Sequence, residues 1–326
     1  MSLVNYDISL PARPGEVIVT LEDLMRFEWL VRSHRLLPVH PVYSILAGRQ
    51  SSKLRGRGLD FEEVRRYVPG DDVRNIDWRV TARTGETYSK LFNEEKERPT
   101  FIVLDQTNGM FFGTRRFMKS VSAAHTAAIG AFYTLKRGDR VGGIVFGDDG
   151  QEQFVPRRDR QAVQFFLESV VRRNGRLPER NVVKPNTVVL NDVLKQTAAL
   201  TPHDHVVTLI SDFSQIDDRT RELLKSISNH NDVILVHVYD PFEESLPDGR
   251  LVLSDGKRQL LWNNHRRNNG EAWRRGFAEW RSRFTEEFRH TRIPVVFFNT
   301  AEPVEDQISK DLGKINDNKW TNNTDN

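Results

Sequence analysis

The chain contains no cysteine, which excludes disulfide bonds, thiolate metal ligands and a cysteine nucleophile. It also lacks any apolar run approaching the roughly 20 residues that a membrane-spanning helix needs. Its first residues do not combine a basic start with an apolar core, as a secretory signal would. We therefore expect a cytoplasmic protein without a transmembrane segment.

Nucleotide-binding patterns are missing as well, since the sequence has neither G-x-x-x-x-G-K-[ST] nor a strand-linked G-x-G-x-x-G. We expect that this chain binds no nucleotide itself. The 326 residues carry a formal net charge of +3, from 48 Lys and Arg against 45 Asp and Glu. This balance does not favour nucleic-acid binding.

The pattern of the chain changes near residue 99. Residues 1–98 are predicted to form an N-terminal extension, with a helix over residues 20–34 and a dense charged block over residues 59–98. Residues 99–300 are predicted to form an α/β domain, and residues 301–326 a polar, loosely held C-terminal tail.

Within the α/β domain, strands alternate with helices. We predict a doubly wound, mainly parallel sheet, because such an alternation requires crossover connections that place helices on both faces. A hairpin is predicted as an insertion within residues 240–262. The predicted strands are 101–104, 140–146, 152–155 (a short edge strand), 205–210, 233–238 and 293–298, and the predicted helices are 115–136, 159–173, 188–199, 217–228 and 270–289.

Two of these strands end in an aspartate, Asp105 and Asp212, with the hydroxyl groups of Thr107, Ser211 and Ser214 nearby in sequence. The carboxyl edge of such a sheet is where ligands bind. One interpretation is an all-oxygen site for a hard cation such as Mg²⁺. The other is that both aspartates cap the helices that follow them.

Residues Asp105 to Met110 resemble the metal-ion-dependent adhesion motif Asp-x-Ser-x-Ser of von Willebrand factor A domains. A second resemblance, to the family of unknown function DUF58, covers roughly residues 45–300. Residues 209–213 and the sequence Asp240-Pro241-Phe242-Glu243 match further patterns of that family. The block that carries this resemblance consists of Arg66, Tyr67, Gly70, Asp71, Asp72, Arg74, Ile76, Asp77, Trp78, Thr81, Ala82 and Arg83.

The DUF58 resemblance implies a von Willebrand A-like fold and a MoxR-type AAA+ ATPase as the partner in chaperone-like assembly of other proteins. The adhesion motif implies a site for Mg²⁺ or Mn²⁺ that uses Asp105, Thr107 and Asp212. Its third ligand is a threonine, for which Thr187 is the nearest candidate. The chain departs from the motif at Gly109, which stands where the motif has its second serine.

Two interpretations of the block from Arg66 to Arg83 remain open. Its arginines and aspartates could form a recognition surface for a partner protein. They could equally form a buried network of ion pairs, with Tyr67 and Trp78 as packing anchors.

We therefore expect a non-enzymatic protein-interaction module that uses the strand-end edge, with a divalent ion as the bridge if one binds. The alternatives are a metal-dependent hydrolase at the same edge and a metal-free scaffold that binds through the Arg/Asp-rich block. His125 and the aromatic stripe of residues 270–289 are predicted to belong mainly to the core.

Overall fold

The computed structural model describes residues 14–33, 59–94, 98–179, 187–214, 216–247, 250–254, 259–263 and 267–309. The chain separates into two compact units. The larger unit consists of residues 1–49 and 99–326, and the smaller one of residues 50–98.

The larger unit is built on a six-stranded sheet, in which all neighbours are parallel except the last pair. The strands of the chain are β1 (Leu59–Arg66), β2 (Tyr88–Glu94), β3 (Thr100–Asp105), β4 (Val141–Gly147), β5 (Gly150–Arg157), β6 (Val206–Ser211), β7 (Asp232–Tyr239), β8 (Arg250–Ser254), β9 (Gln259–Asn263) and β10 (Val295–Asn299). The order across the sheet is β10-β7-β6-β3-β4-β5. The predicted α/β class with a mainly parallel sheet is confirmed.

Helices of the larger unit cover both faces of its sheet. The described helices are α1 (Pro14–Val17), α2 (Leu21–Arg32), α3 (Trp78–Thr84), α4 (Lys119–Lys136), α5 (Arg160–Asn174), α6 (Thr187–Leu200), α7 (Asp218–Ser228), α8 (Pro241–Glu244) and α9 (Arg267–Arg289), of which α3 belongs to the smaller unit. Strand β3 is buried along its whole length. Ile102 and Leu104 point into the core beneath α2, α4 and α5, whereas Phe101 and Val103 point into the core beneath α6, α7 and α9.

Helix α2 belongs to the larger unit by its packing. Thr20 and Asp23 form a capping box that starts it. Its Phe27 is fully buried, with the ring centre 5.1 Å from that of His125 on α4. The sequence analysis had placed residues 20–34 in the N-terminal extension.

Helix α4 begins at Lys119, four residues later than predicted. The preceding segment is held by backbone hydrogen bonds to residues far away in sequence instead of by helical bonds. Phe117 donates its backbone N–H to Thr300, and Met118 donates to Glu16. Gly113 allows this path, because a Cβ atom there would lie 2.3 Å from the carbonyl oxygen of Phe117.

The C-terminal end of the described chain is packed and not loose. Residues 304–309 are helical, and Val304 and Ile308 lie in the core of the larger unit. The prediction of a loosely held tail from residue 301 was therefore wrong for these residues, since two apolar side chains among polar ones suffice to anchor a short helix. The predicted hairpin is present as the antiparallel pair β8 and β9.

The smaller unit is an antiparallel pair of strands, in which β1 runs against β2 from Leu59 opposite Glu94 to Arg66 opposite Tyr88. A 3-10 turn (Val73–Asn75) and α3 lie between the two strands.

Among the helices that the structure describes, none is both long enough and apolar enough to cross a membrane.

Candidate functional site

The centre of the sheet contains a topological switch point. From β3 the chain proceeds to β4 and β5 on one side, and then returns to β6 on the other side of β3. The carboxyl ends of β3 and β6 therefore lie side by side, at the position where open α/β sheets form a binding crevice. Asp105 ends β3, and Asp212 directly follows β6, as the sequence predicted.

Asp105 is buried and its carboxylate is fully engaged with neighbouring groups. Oδ1 accepts the backbone N–H of Thr107 at 2.8 Å, and Oδ2 accepts the hydroxyl of Ser211 at 2.6 Å. The first bond closes an Asx turn, and the second joins the end of β3 to the end of β6. Thr107 and Ser211, two of the hydroxyl residues expected at this edge, thus both contact Asp105.

Asp212 makes an ion pair that the sequence analysis missed. The ammonium of Lys119, the first residue of α4, lies 2.6 Å from Asp212 Oδ2 and 3.1 Å from Glu243 Oε1. Its side chain is only 7% exposed. The other oxygen of Asp212 accepts the backbone N–H of Ser214 at 3.0 Å. A lysine that follows an extended, irregular segment has no sequence pattern that would place it at this edge.

These contacts divide the charges at the edge unequally. Burial, reinforced by the charge of Asp212, raises the pKa of Asp105 to about 6. Burial also acts to raise the pKa of Asp212, but the neighbouring Lys119 ammonium outweighs it and lowers that pKa. Burial alone would lower the pKa of Lys119, yet Asp212 and Glu243 hold it above its usual value. Lys119 is therefore a cation at neutral pH.

A third aspartate, Asp240, follows β7 at the same edge and is completely buried. Oδ2 accepts the backbone N–H of Thr114 at 2.9 Å and the hydroxyl of Thr300 at 2.5 Å, and Oδ1 accepts the N–H of Phe242 at 2.9 Å and the hydroxyl of Thr114. Asp240 thus joins the segments that follow β3, β7 and β10. The apolar run that ends in Asp240-Pro241 was a signal for this residue, because it repeats the pattern of the other two strand ends.

Phe213 has a backbone conformation that bulky residues rarely adopt, with φ of 49°. Such conformations are stabilised by the surrounding structure and concentrate at functional sites. The Phe213 ring is buried and stacks on His237 at 6.0 Å between ring centres. Burial of the ring offsets the backbone strain beside Asp212.

The remaining predicted metal ligand, Thr187, is the first residue of α6, and its side chain lies outside the described residues. Gly109 lies in the 3-10 turn Asn108–Met110, where a Cβ atom would be 3.9 Å from Thr107 Oγ1. A serine could therefore be accommodated at this position without a clash.

The arrangement of side chains at the edge does not favour a divalent cation shared by Asp105 and Asp212. Binding between Asp105 and Asp212 would require the Lys119 ammonium to leave Asp212 and the Ser211 hydroxyl to turn away from Asp105. Within the described ranges, no cluster of three or more His, Asp or Glu side chains could hold a metal. The deciding observation is the ammonium itself, which supplies the positive charge that a hard cation would bring.

In the smaller unit, the three aspartates of the predicted block mainly organise the local backbone. Asp72 accepts the N–H of Arg74, and Asp77 accepts those of Arg79 and Val80 at the start of α3. These bonds begin the 3-10 turn Val73–Asn75 and helix α3.

Ion pairs in the block are partly exposed, in contrast to the buried network considered above. Asp71 pairs with Arg65 at 2.7 Å, whereas Arg66 pairs with Glu86 at 2.5 Å. Arg83 lies in the last turn of α3. Trp78 is 68% exposed, so it does not act as a packing anchor.

The predicted core residues are confirmed. His125 is buried, and Phe284 and Phe288 of α9 lie in the second core. His237 is also buried, which lowers its pKa to about 4.

Comparison with known proteins gives one family and no assigned activity. The profile of the family described as "Protein of unknown function DUF58" matches residues 63–286. An uncharacterized protein of Mycobacterium bovis is 29% identical over 219 residues, which is 67% of each chain. Uncharacterized proteins from two strains of Mycobacterium tuberculosis match to the same extent.

Proposed function

Because the chain belongs to the DUF58 family, whose function is unknown, we propose that it is a non-enzymatic protein-interaction module. The observation that carries this proposal is the contrast at the carboxyl edge of the sheet. Asp105, Asp212 and Lys119 there are buried and engaged in hydrogen bonds and an ion pair within the chain, while the ring of Phe112 is exposed.

The bonded polar groups favour binding over catalysis. A hydrolase needs a nucleophile and a base that face the substrate. The hydroxyl of Ser211 instead donates to Asp105 and is buried, and both oxygens of Asp212 are engaged. The metal-dependent hydrolase considered from the sequence would use a metal-bound water instead, and the Lys119–Asp212 ion pair does not favour a cation between Asp105 and Asp212.

The aromatic ring at the edge is that of Phe112, which is 38% exposed. It packs edge-to-face on Phe242 with 6.0 Å between ring centres, and the Lys119 ammonium lies 5.7 Å from the centre of the Phe112 ring. An exposed aromatic side chain that is held in place by its neighbours is typical of the residues that dominate binding energy at protein interfaces.

A second candidate surface lies in the smaller unit. Three large apolar side chains in the block from Arg66 to Arg83 are exposed there, namely Val68, Val73 and Trp78. Apolar side chains grouped in a charged block favour the alternative of a metal-free scaffold that binds through this block. The two surfaces can be separated by mutation.

The partner that we propose is a MoxR-type AAA+ ATPase, and the process is the chaperone-like assembly of other proteins. The family resemblance supports this partner, as does the absence of a nucleotide-binding motif from this sequence. The proposal places the chain in the cytoplasm, where ATP is available to such an ATPase.

The test is a binding measurement with the purified MoxR-type ATPase of the same organism, by biolayer interferometry. Phe112→Ala and Trp78→Ala are compared with Phe165→Ala, which removes an exposed ring from α5 and belongs to neither surface. We expect Phe112→Ala to weaken binding by about tenfold or more, because interface aromatics contribute over about 1 kcal/mol each, and Phe165→Ala to leave it unchanged.

The other outcomes have defined meanings when circular dichroism shows that each variant is folded. Loss of binding in Trp78→Ala alone would move the interface to the smaller unit. If the ATPase does not bind the native chain, the proposed partner is wrong. If it binds the native chain and all three variants equally, the proposed surfaces are wrong.

A further inference from the structure

The Lys119 ammonium has the surroundings of a bound metal cation. It lies between the carboxylates of Asp212 and Glu243 at the carboxyl edge of the sheet, in a position that is almost fully buried. Burial without a partner would be strongly unfavourable for Lys119 and Asp212, whose side chains are each 7% exposed. Glu243 is 31% exposed and is the second, more accessible partner of the ammonium.

Three different elements fix this arrangement. Lys119 is the first residue of α4, Asp212 follows β6, and Glu243 lies in the short helix α8 after β7. Glu243 also reaches back to the N–H of Asp240 in a capping box, and its carbonyl oxygen accepts the indole N–H of Trp273 at 2.8 Å. The position of the ammonium is thus set by the fold and not by a flexible surface side chain.

We propose that Lys119 is a built-in cation that takes the place of a divalent metal ion at this edge. The native chain then needs no metal to neutralise Asp212 and gains none from solution. This inference concerns the chain alone. Its consequence, that partner binding persists in a metal chelator, rests on the proposed function.

The first test is thermal unfolding of the native chain in EDTA and in millimolar Mg²⁺ or Mn²⁺. We expect the two Tm values to agree within about 1 °C, since a ligand that does not bind the native state does not stabilise it. A metal-dependent rise of several degrees that disappears in Asp212→Asn would overturn the proposal.

The second test removes the ammonium. Lys119→Ala leaves Asp212 and Glu243 facing each other in a vacated space, so we expect the Tm in EDTA to fall by roughly 10 °C. Mn²⁺ should restore a third or more of that loss, because carboxylate oxygens are suitable ligands for it. Lys225→Ala, which removes an exposed lysine from α7, is the matched control and should change neither value.

Two results of this second test would refute the proposal. One is a Lys119→Ala variant as stable as the Lys225→Ala control. The other is a destabilised variant that gains nothing from Mn²⁺.

If Lys119→Ala does not fold, the triple variant Lys119→Met, Asp212→Asn and Glu243→Gln decides the question. It removes the ammonium and both carboxylate charges and keeps the volume of all three side chains. Recovery of the folded state in the triple variant supports the charge pairing, and failure to recover overturns it. All of these measurements use the chain without a partner, so they can fail independently of the binding experiment.

Discussion

Replacing Asp240 with asparagine tests how the strand ends are held together. The substitution keeps the size of the side chain and turns one acceptor oxygen into an amide donor. Asp240 accepts two bonds on each oxygen, and on each oxygen one donor is a backbone N–H and the other is a threonine hydroxyl. A hydroxyl can rotate to become an acceptor, but a backbone N–H cannot.

The expected loss follows from this arrangement. Whichever way the asparagine amide is turned, its NH₂ group faces one backbone N–H, either that of Thr114 or that of Phe242. A buried donor without an acceptor costs about 1–3 kcal/mol, and the remaining bonds lose their charge assistance. We expect Asp240→Asn to lower the free energy of unfolding by roughly 3–4 kcal/mol.

Urea unfolding followed by circular dichroism measures this change. The matched control is Asp159→Asn, because Asp159 caps α5 with two backbone N–H bonds but is exposed. Asparagine is about as good an N-cap as aspartate, so the control should lose less than ~1 kcal/mol. If Asp240→Asn loses no more than the control, the buried carboxylate is only a helix cap and the reasoning fails.

Three further outcomes are expected. Burial lowers the pKa of His125 from 6.5 to about 3, so its contribution to stability is complete above about pH 6.5 and is lost as the pH falls towards 3. In urea titrations, the free energy of unfolding that the native chain loses between about pH 7 and 4.5 should therefore be smaller by roughly 2–3 kcal/mol in His125→Leu. Asp105→Asn should fold and be more stable than the native chain by up to about 2 kcal/mol at pH 8, an advantage that shrinks below about pH 6 as the native carboxyl takes up its own proton; a less stable variant at pH 8 would contradict this. Gly143→Ala should destabilise the chain by several kcal/mol in a thermal scan, because its Cβ would lie 2.1 Å from the carbonyl oxygen of Ile102. In the control Gly276→Ala in α9, the Cβ meets open space, and the chain should gain about 1 kcal/mol of stability. Equal effects of the two substitutions would contradict the packing of β4 on β3.

The sequence was sufficient to predict the fold because the signals of the sheet are local. The run from Phe101 to Leu104 is apolar and bounded by turn residues, and the structure shows a fully buried strand there. Helices separate the parallel strands, and this spacing determines the crossovers. The antiparallel edge strand β5 could also be predicted, because it follows β4 through a Gly-Asp-Asp-Gly turn.

The start of α4 could not be predicted, because tertiary bonds determine it. Residues 115–118 carry helix-compatible side chains, but Phe117 and Met118 donate to Thr300 and Glu16, which are distant in sequence. No window of the sequence contains both partners. The same limit explains why Lys119 was missed, since its carboxylate partners lie 93 and 124 positions further along the chain.

The three strand-end aspartates show why a motif alone does not define a site. Asp105, Asp212 and Asp240 each follow an apolar strand, and nothing in that local pattern distinguishes them. Their partners distinguish them. A hydroxyl and an Asx turn leave the charge of Asp105 uncompensated, and its pKa is raised to about 6. The Lys119 ammonium keeps Asp212 ionised, and four hydrogen-bond donors surround Asp240. In the metal site predicted from the sequence, Asp105 and Asp212 would share a cation. Here the available cation belongs to the chain, and it bonds to Asp212 and to Glu243, which the adhesion motif does not include. The edge therefore keeps the sequence pattern of an ion-binding loop, while the cation beside Asp212 is supplied by the chain itself.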